Sequence, residues 1–151
     1  MIGVLLIAGV NPMRQTLAPM DILLAHPGWS SFEGSPPVVN PERSDVLDHR
    51  LPLWRYFRSE IRSGTLPLWT PIHQLGAPGI QFLPFEGLTI PFWIFVLTPD
   101  EATGYTLAVL SSFAIAAWGS YLLLFFMFGN RWAALFGGIT FAFSGFNVAW
   151  A

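Results

Sequence analysis

Cysteine and lysine are both absent from the 151 residues of this chain. Without cysteine, the chain can form no disulfide, no thiolate zinc site and no cysteine nucleophile. Without lysine, it can supply no phosphate-binding lysine of the P-loop type and no Schiff base. Charge is also scarce, since charged residues make up 11% of the chain, against roughly 25% in an average soluble domain. The net charge of −2 gives no sign of a basic surface, so we expect no nucleic-acid partner.

The chain is instead rich in apolar residues, which make up 53% of it and give a mean hydropathy of +0.53. After Glu101 the only charged residue is Arg131. The uncharged stretches 102–128 and 132–151 each approach or exceed the roughly 20 residues that cross a ~30 Å hydrocarbon core. We therefore predict an all-α, multi-pass protein of the bacterial cell membrane, with transmembrane helices at 102–128 and 132–151.

Both ends of the sequence are apolar, which suggests an N-terminal fragment of a larger polytopic chain. Residues 1–10 are predicted to end a truncated first transmembrane helix, and the chain is expected to continue beyond Ala151. The short link 129–131 carries Arg131, so the positive-inside rule places this link in the cytoplasm. Residues 11–100, which hold every charge except Glu101 and Arg131, then form a large extracytoplasmic first loop.

An amphipathic helix is predicted at about 45–63 of this loop. Ser44 is its expected N-cap, Pro52 kinks it or marks its true start, and Gly64 ends it. Its apolar face repeats every three or four residues, at Leu47, Leu51, Trp54, Phe57 and Ile61. This pattern fits a helix that lies flat on a membrane surface, and it also fits a helix packed on the rest of the protein.

The remainder of the loop is broken by proline and glycine. Residues 64–79 are expected to have no regular structure. A partly embedded helix is predicted at about 84–97, mainly Ile90 to Leu97, and residues 98–100 should cap the next helix. Within the second span, Ala134, Gly138 and Ala142 recur every four residues, which favours close helix packing.

Candidate chemical groups cluster at the start of the amphipathic helix. Asp45 and His49 are spaced i and i+4, so they could bind a divalent cation or act as an acid/base pair, with Asp48 beside them. The alternative is a solvated helix start with favourable charges. Arg55, Arg58 and Arg62 form one stripe that could grip a lipid-linked phosphate or touch anionic headgroups. Glu86 is an ionisable group inside an apolar segment and is a further candidate.

The pattern of these loop residues resembles the bacterial YfhO-like membrane proteins, which are similar to the GT-C superfamily of polytopic glycosyltransferases. The residues that carry the resemblance are Asp45, His49, Pro52, the Gly64-x-Leu66-Pro67-Leu68-Trp69-x-Pro71 element, Gly76-x-Pro78 and Pro84. The resemblance covers about 21–151 and implies many transmembrane helices, with a catalytic acidic residue in the first outer loop that maps onto Asp45.

The resemblance also implies an activity: transfer of a sugar from a polyprenyl-phosphate-linked donor to an acceptor of the cell envelope. Asp45, Asp48 and His49 would then be catalytic, while Arg55, Arg58, Arg62 and Glu86 would bind substrate. No cofactor is assigned beyond a possible divalent cation. The expected partners are the bilayer, the donor lipid and the rest of the chain. The alternative class is a non-enzymatic polytopic protein, such as a transporter subunit or an envelope assembly factor.

Overall fold

The computed structural model describes residues 17–25, 28, 44–72, 75–79 and 87–150. Within these ranges the chain is mostly helical, as predicted. A 3-10 helix covers Met20–Ala25, and one π-helical turn covers Val46–Arg50. The α-helices are α1 (Leu51–Arg62), α2 (Ile90–Leu97), α3 (Glu101–Phe128), α4 (Arg131–Ala142) and α5 (Gly145–Trp150). Two short strands, β1 (Trp69–Thr70) and β2 (Ala77–Pro78), lie between α1 and α2.

The helix predicted at about 45–63 consists of two parts, the π-helical turn and α1. Ser44 and Asp45 already have helical backbone, so the prediction that Ser44 is the N-cap is wrong. In the turn, the Leu51 amide donates to the Val46 carbonyl five residues back. Pro52 has no amide to offer the Asp48 carbonyl, which accounts for the wide turn at this point. Pro52 then lies in the first turn of α1, where a missing amide is tolerated.

The predicted end of this helix at Gly64 is confirmed. Gly64 has φ +82°, a left-handed conformation that favours glycine. The Thr65 amide donates to the Glu60 carbonyl at 2.9 Å, and the Gly64 amide donates to the Ile61 carbonyl at 3.0 Å. These two bonds form a Schellman motif and supply partners to carbonyls that the helix end leaves open.

The segment after α1 contains a small sheet that the sequence does not predict. Strands β1 and β2 pair antiparallel, with Trp69 opposite Pro78 and Thr70 opposite Ala77. Pro78 is tolerated because a strand in so short a pair has an open edge. The Tyr56 hydroxyl donates to the Trp69 carbonyl at 2.8 Å, which fastens the sheet to α1. The expectation of no regular structure at 64–79 is therefore wrong for these two strands.

The apolar face of α1 packs against α2 and the first turns of α3. Trp54 and Phe57 are both buried. The Trp54 ring lies 5.6 Å from that of Phe92, 5.4 Å from that of Phe95 and 6.2 Å from that of Tyr105. Aromatic pairs at these distances add to the stability gained by burial. Of the two alternatives left by the periodicity, a helix packed on the protein is the one observed, so this face is not free to lie on a membrane.

Capping groups set the junction between α2 and α3. Helix α2 covers the main part, Ile90 to Leu97, of the segment predicted at about 84–97, of which 84–86 lie outside the described residues, and α3 begins next to residues 98–100 as predicted. The Asp100 carboxylate accepts a hydrogen bond from the Thr103 amide at 2.7 Å. This bond stabilises the charged carboxylate, so it lowers the pKa of Asp100 below its usual value.

Helices α3 and α4 form a hairpin around Gly129 and Asn130. Gly129 has φ +66°, and the Asn130 side-chain oxygen accepts from the amides of Trp132 and Ala133 at 3.0 and 3.2 Å. The buried residues of α4 are Ala134, Gly138 and Ala142. The predicted small-residue stripe is therefore confirmed as the contact face of α4.

Substitution of Gly138 by alanine should destabilise this hairpin. A Cβ at Gly138 would lie 2.7 Å from the Ala117 carbonyl oxygen and 3.2 Å from the Tyr121 Cβ. Such overpacking costs about 1–3 kcal/mol, measurable as a change in the unfolding free energy of the full-length protein in detergent. The control is Gly119→Ala in α3, whose Cβ would meet nothing within 4 Å. This control should be neutral or gain up to ~1 kcal/mol in helix propensity, and equal losses in both variants would contradict the close contact.

The second predicted span, residues 132–151, is not one continuous helix. The chain breaks at Phe143 and Ser144 between α4 and α5. Gly145 is a poor helix former, and the Asn147 side-chain amide donates to the Phe141 carbonyl at 2.8 Å, giving it a partner near the end of α4. Among the described residues, α3 is the one helix long and apolar enough to cross a membrane, with a mean hydropathy of 1.8.

Candidate functional site

The predicted catalytic residues lie on the surface at the start of the layer that α1, α2 and the first turns of α3 form. Asp45, Asp48 and His49 are all exposed, and they flank or occupy the π-helical turn. Val46, in the same turn, is 8% exposed and belongs to the core cluster with Leu53 and Trp54. The turn is therefore anchored from within while its polar side chains face outward. We call Asp45, Asp48 and His49 the acidic turn.

The three side chains of the acidic turn are not arranged as a metal site. No group of three or more His, Cys, Asp or Glu side chains suited to a metal ion occurs in that part of the chain. A divalent cation bound by Asp45 and His49 would need further ligands from water, substrate or other parts of the protein. The cation therefore stays a prediction.

Two of the three predicted phosphate-binding arginines bond to backbone carbonyls at the end of α2. Arg58 is 3% exposed, and its Nη2 donates to the carbonyls of Thr98 and Pro99, both at 2.6 Å. Arg62 donates from Nε to the Val96 carbonyl at 2.9 Å and from Nη2 to the Thr98 carbonyl at 2.7 Å. The negative end of the α2 dipole lies here and attracts cationic side chains. Together these bonds fasten α1 to the α2–α3 junction.

Glu101 and Phe95 complete the surroundings of the arginines. The Arg55 Nε lies 2.8 Å from the Glu101 Oε2, and the Arg58 Nη1 lies 3.8 Å from the Glu101 Oε1. The Arg58 guanidinium also stacks 5.0 Å from the centre of the Phe95 ring. Burial, and after it the charge of Arg62, lowers the pKa of Arg58. The whole arrangement is an internal lock, which we call the arginine lock (Arg55, Arg58, Arg62 and Glu101).

The arginine lock changes what the stripe can do. Arg58 would have to leave the Thr98 and Pro99 carbonyls before it could contact a phosphate, and its burial leaves no room for one beside it. Arg58 is therefore unsuited to the clamp role that its spacing predicts. Arg55 keeps 61% of its side chain exposed, so its phosphate contact stays a prediction. Glu86, the remaining predicted binding residue, lies outside the described residues.

Arg50 is a cationic side chain directly after the acidic turn, and the predicted arginine stripe does not include it. It is exposed, and its guanidinium lies 5.5 Å from the centre of the Trp54 ring. Stacking of this kind fixes the orientation of the guanidinium plane. The sequence signal for it is the i, i+4 spacing of Arg50 and Trp54, which is weak without the structure.

An open apolar groove runs between α3 and α4, well away from the acidic turn. Its volume is about 460 Å³. Its walls include Trp118 and Tyr121 from α3 and Trp132, Leu135 and Ile139 from α4, and Arg131 is its single charged residue. We call it the hairpin groove.

No protein-family model, curated protein or solved structure matches this chain. The fold and the site therefore define only a broad class of protein. It is a mostly helical protein with one helix long and apolar enough to cross a membrane, joined at its N-terminal end to a packed layer that carries the acidic turn.

Proposed function

We propose that the chain belongs to a multi-pass protein of the bacterial cell membrane, with the second part of α3 inside the bilayer. Every buried residue of α3 lies in its first ten positions, which end at Leu110. Only 11% of the most apolar 18-residue stretch of α3 is buried, far less than in a helix at the core of a protein. Side chains such as Leu123 and Phe126 are 59% and 90% exposed. A helix with so much exposed apolar surface is stable in lipid and costly in water.

The burial pattern also suggests where the membrane begins. Residues 111–128 of α3 extend about 27 Å, close to the ~30 Å of a hydrocarbon core. The first turns of α3 are covered by α1 and α2 instead. In this proposal the span starts near Ser111 rather than at residue 102, and α4 with α5 forms the returning segment. The break at Phe143 and Ser144 would need cover from other parts of the protein, as broken membrane helices do.

Cysteine labelling of the full-length protein tests this topology. With residues 11–100 outside and the link at 129–131 inside, a membrane-impermeant thiol reagent should label Ser35→Cys and not Asn130→Cys in intact cells. The absence of native cysteine makes the background low. Permeabilised cells, in which both variants should react, are the control. Labelling of Asn130→Cys alone from outside would reverse the orientation.

The proposed activity is transfer of a sugar from a polyprenyl-phosphate-linked donor to an extracytoplasmic acceptor. The observation that carries it is the exposure of Asp45, Asp48 and His49 on a turn anchored to the layer beside the proposed membrane boundary. A donor of this kind keeps its lipid in the bilayer and its phosphate at headgroup level, so a base is needed at that level. The rigid packing of Trp54 and Phe57 would hold such a base in place.

The residues of the turn have distinct roles in this proposal. The oxygen of the acceptor hydroxyl bonds to the anomeric carbon of the sugar, and Asp45 takes the proton of that hydroxyl. The bond between that carbon and the donor phosphate oxygen breaks, and polyprenyl phosphate leaves with the electron pair. Arg50 and Arg55 are two exposed guanidinium groups that we assign to the phosphate; Arg62 is exposed as well, but it bonds to the Val96 and Thr98 carbonyls. Arg58 acts through the fold alone.

The activity is tested by donor turnover. The full-length protein is reconstituted in liposomes with a panel of polyprenyl-phosphate-linked hexoses and an envelope extract as acceptor. We expect release of free polyprenyl phosphate from at least one donor, dependent on the extract. Correctly inserted protein that releases none from any donor would instead favour the non-enzymatic alternative.

A further inference from the structure

We propose that the hairpin groove holds one anionic phospholipid of the cytoplasmic leaflet, with its phosphate on Arg131 and one acyl chain between α3 and α4. This inference rests on the membrane placement in the proposed function, and it does not depend on sugar transfer. The groove has the two features that an amphiphile with an anionic head requires: a long apolar wall and one cation at its end.

The charge at the end of the groove has no counter-ion nearby in sequence. Between Ala102 and Ala151 there is no carboxylate. Glu101 begins α3, and the 28 residues of that helix separate it from the hairpin turn by about 42 Å. No ion pair of Arg131 occurs among the described residues, and its guanidinium lies 5.4 Å from the centre of the Trp132 ring. A phosphate would complete this site by a charge-assisted contact at the edge of the stacked guanidinium.

The apolar walls fit a lipid chain of one leaflet. From Arg131 to Ile139 the α4 wall extends about 12 Å, close to half of a ~30 Å hydrocarbon core. Trp118, Trp132 and Leu135 are 64%, 68% and 44% exposed, so the groove is open to the bilayer. Basic sites between membrane helices on the cytoplasmic side are the kind that bind anionic headgroups. The volume of about 460 Å³ admits one chain.

Quenching of Trp118 fluorescence by brominated lipid tests the inference. The full-length protein is placed in phosphatidylcholine vesicles that contain a small share of dibrominated phosphatidylglycerol or, in parallel, dibrominated phosphatidylcholine. The Trp118 signal is the difference between this protein and its Trp118→Phe variant. We expect saturable quenching at one phosphatidylglycerol per protein, with a preference over phosphatidylcholine of about fivefold, because both lipids carry the phosphate and only phosphatidylcholine adds a cation that opposes Arg131.

Two variants separate a site from general attraction to the surface. Arg131→Gln should abolish the preference, while Ala114→Leu, which fills the groove and keeps the charge, should abolish saturable quenching. Trp93→Phe, on the exposed side of α2, should leave both unchanged. Equal quenching by the two lipids, or a preference that survives Arg131→Gln, would overturn the inference alone. No quenching by either lipid would also overturn the inference, and the thiol-labelling result would then show whether the membrane placement fails with it.

Discussion

Replacing Arg58 by methionine should destabilise the protein by about 3 kcal/mol, because the guanidinium bonds two carbonyls at once in a buried place. Nη2 donates to Thr98 and Pro99 at 2.6 Å, and the side chain is 3% exposed. Hydrogen bonds from charged donors contribute roughly 1.5–3 kcal/mol each, and their loss leaves acceptors without a partner. Methionine keeps much of the apolar volume, so most of the loss should come from these bonds, with a smaller share from the Phe95 stacking and the Glu101 contact. Unfolding of the full-length protein in mixed micelles measures the loss.

Arg55→Met is the matched control for this prediction. It removes a guanidinium from the same lock, but its partner Glu101 is 45% exposed and Arg55 itself is 61% exposed. Exposed pairs of this kind contribute at most about 1 kcal/mol. Arg58→Lys should fall between the two, since an ammonium keeps the charge and loses the planar fork. Losses of similar size in Arg58→Met and Arg55→Met would contradict the structural role of Arg58.

Replacing Asp45 by asparagine should lower sugar transfer by about 10²- to 10⁴-fold, the range that a general base supplies. Folding should be unchanged, because the Asp45 side chain is exposed and makes no capping hydrogen bond. The measurement is the rate of donor turnover by the full-length protein, alongside its unfolding free energy. Asparagine preserves size and hydrogen-bonding capacity, so a loss would come from the missing base.

Asp48→Asn is the control for Asp45, since both carboxylates are exposed on the same turn. We expect a milder effect from it. The reverse ranking would move the general base to Asp48, and full activity in Asp45→Asn would remove Asp45 from the mechanism. A loss of stability as large as the loss of activity would show a structural role instead.

The helix boundaries at Gly64 and Asp100 could be predicted from the sequence because their causes are local, whereas the predicted N-cap at Ser44 was wrong. Gly64, Asp100 and Asn130 each act on backbone groups within five residues of themselves. The small-residue stripe of α4 was equally accessible, since a period of four places Ala134 and Gly138 on one face. The break at Phe143 and Ser144 was not, because an apolar composition alone does not show where a helix stops.

The arginine lock could not be predicted, and the reason is distance along the chain. Arg58 bonds to carbonyls 40 and 41 residues away, and backbone carbonyls leave no signature in the sequence. Periodicity placed Arg55, Arg58 and Arg62 on one face but could not tell a phosphate from a helix end as their partner. In the same way, the apolar face around Trp54 gave no sign of whether lipid or Phe92 and Phe95 would cover it.

The sidedness of transfer tests the central claim most directly, namely that the acidic turn performs sugar transfer at the outer membrane face. Sealed right-side-out and inverted vesicles are prepared from cells that make the full-length protein, each with a labelled polyprenyl-phosphate sugar in the bilayer and acceptor added only outside. We expect label to reach the acceptor in right-side-out vesicles and to be lost in Asp45→Asn. Transfer confined to inverted vesicles, or absent from both, would contradict the account.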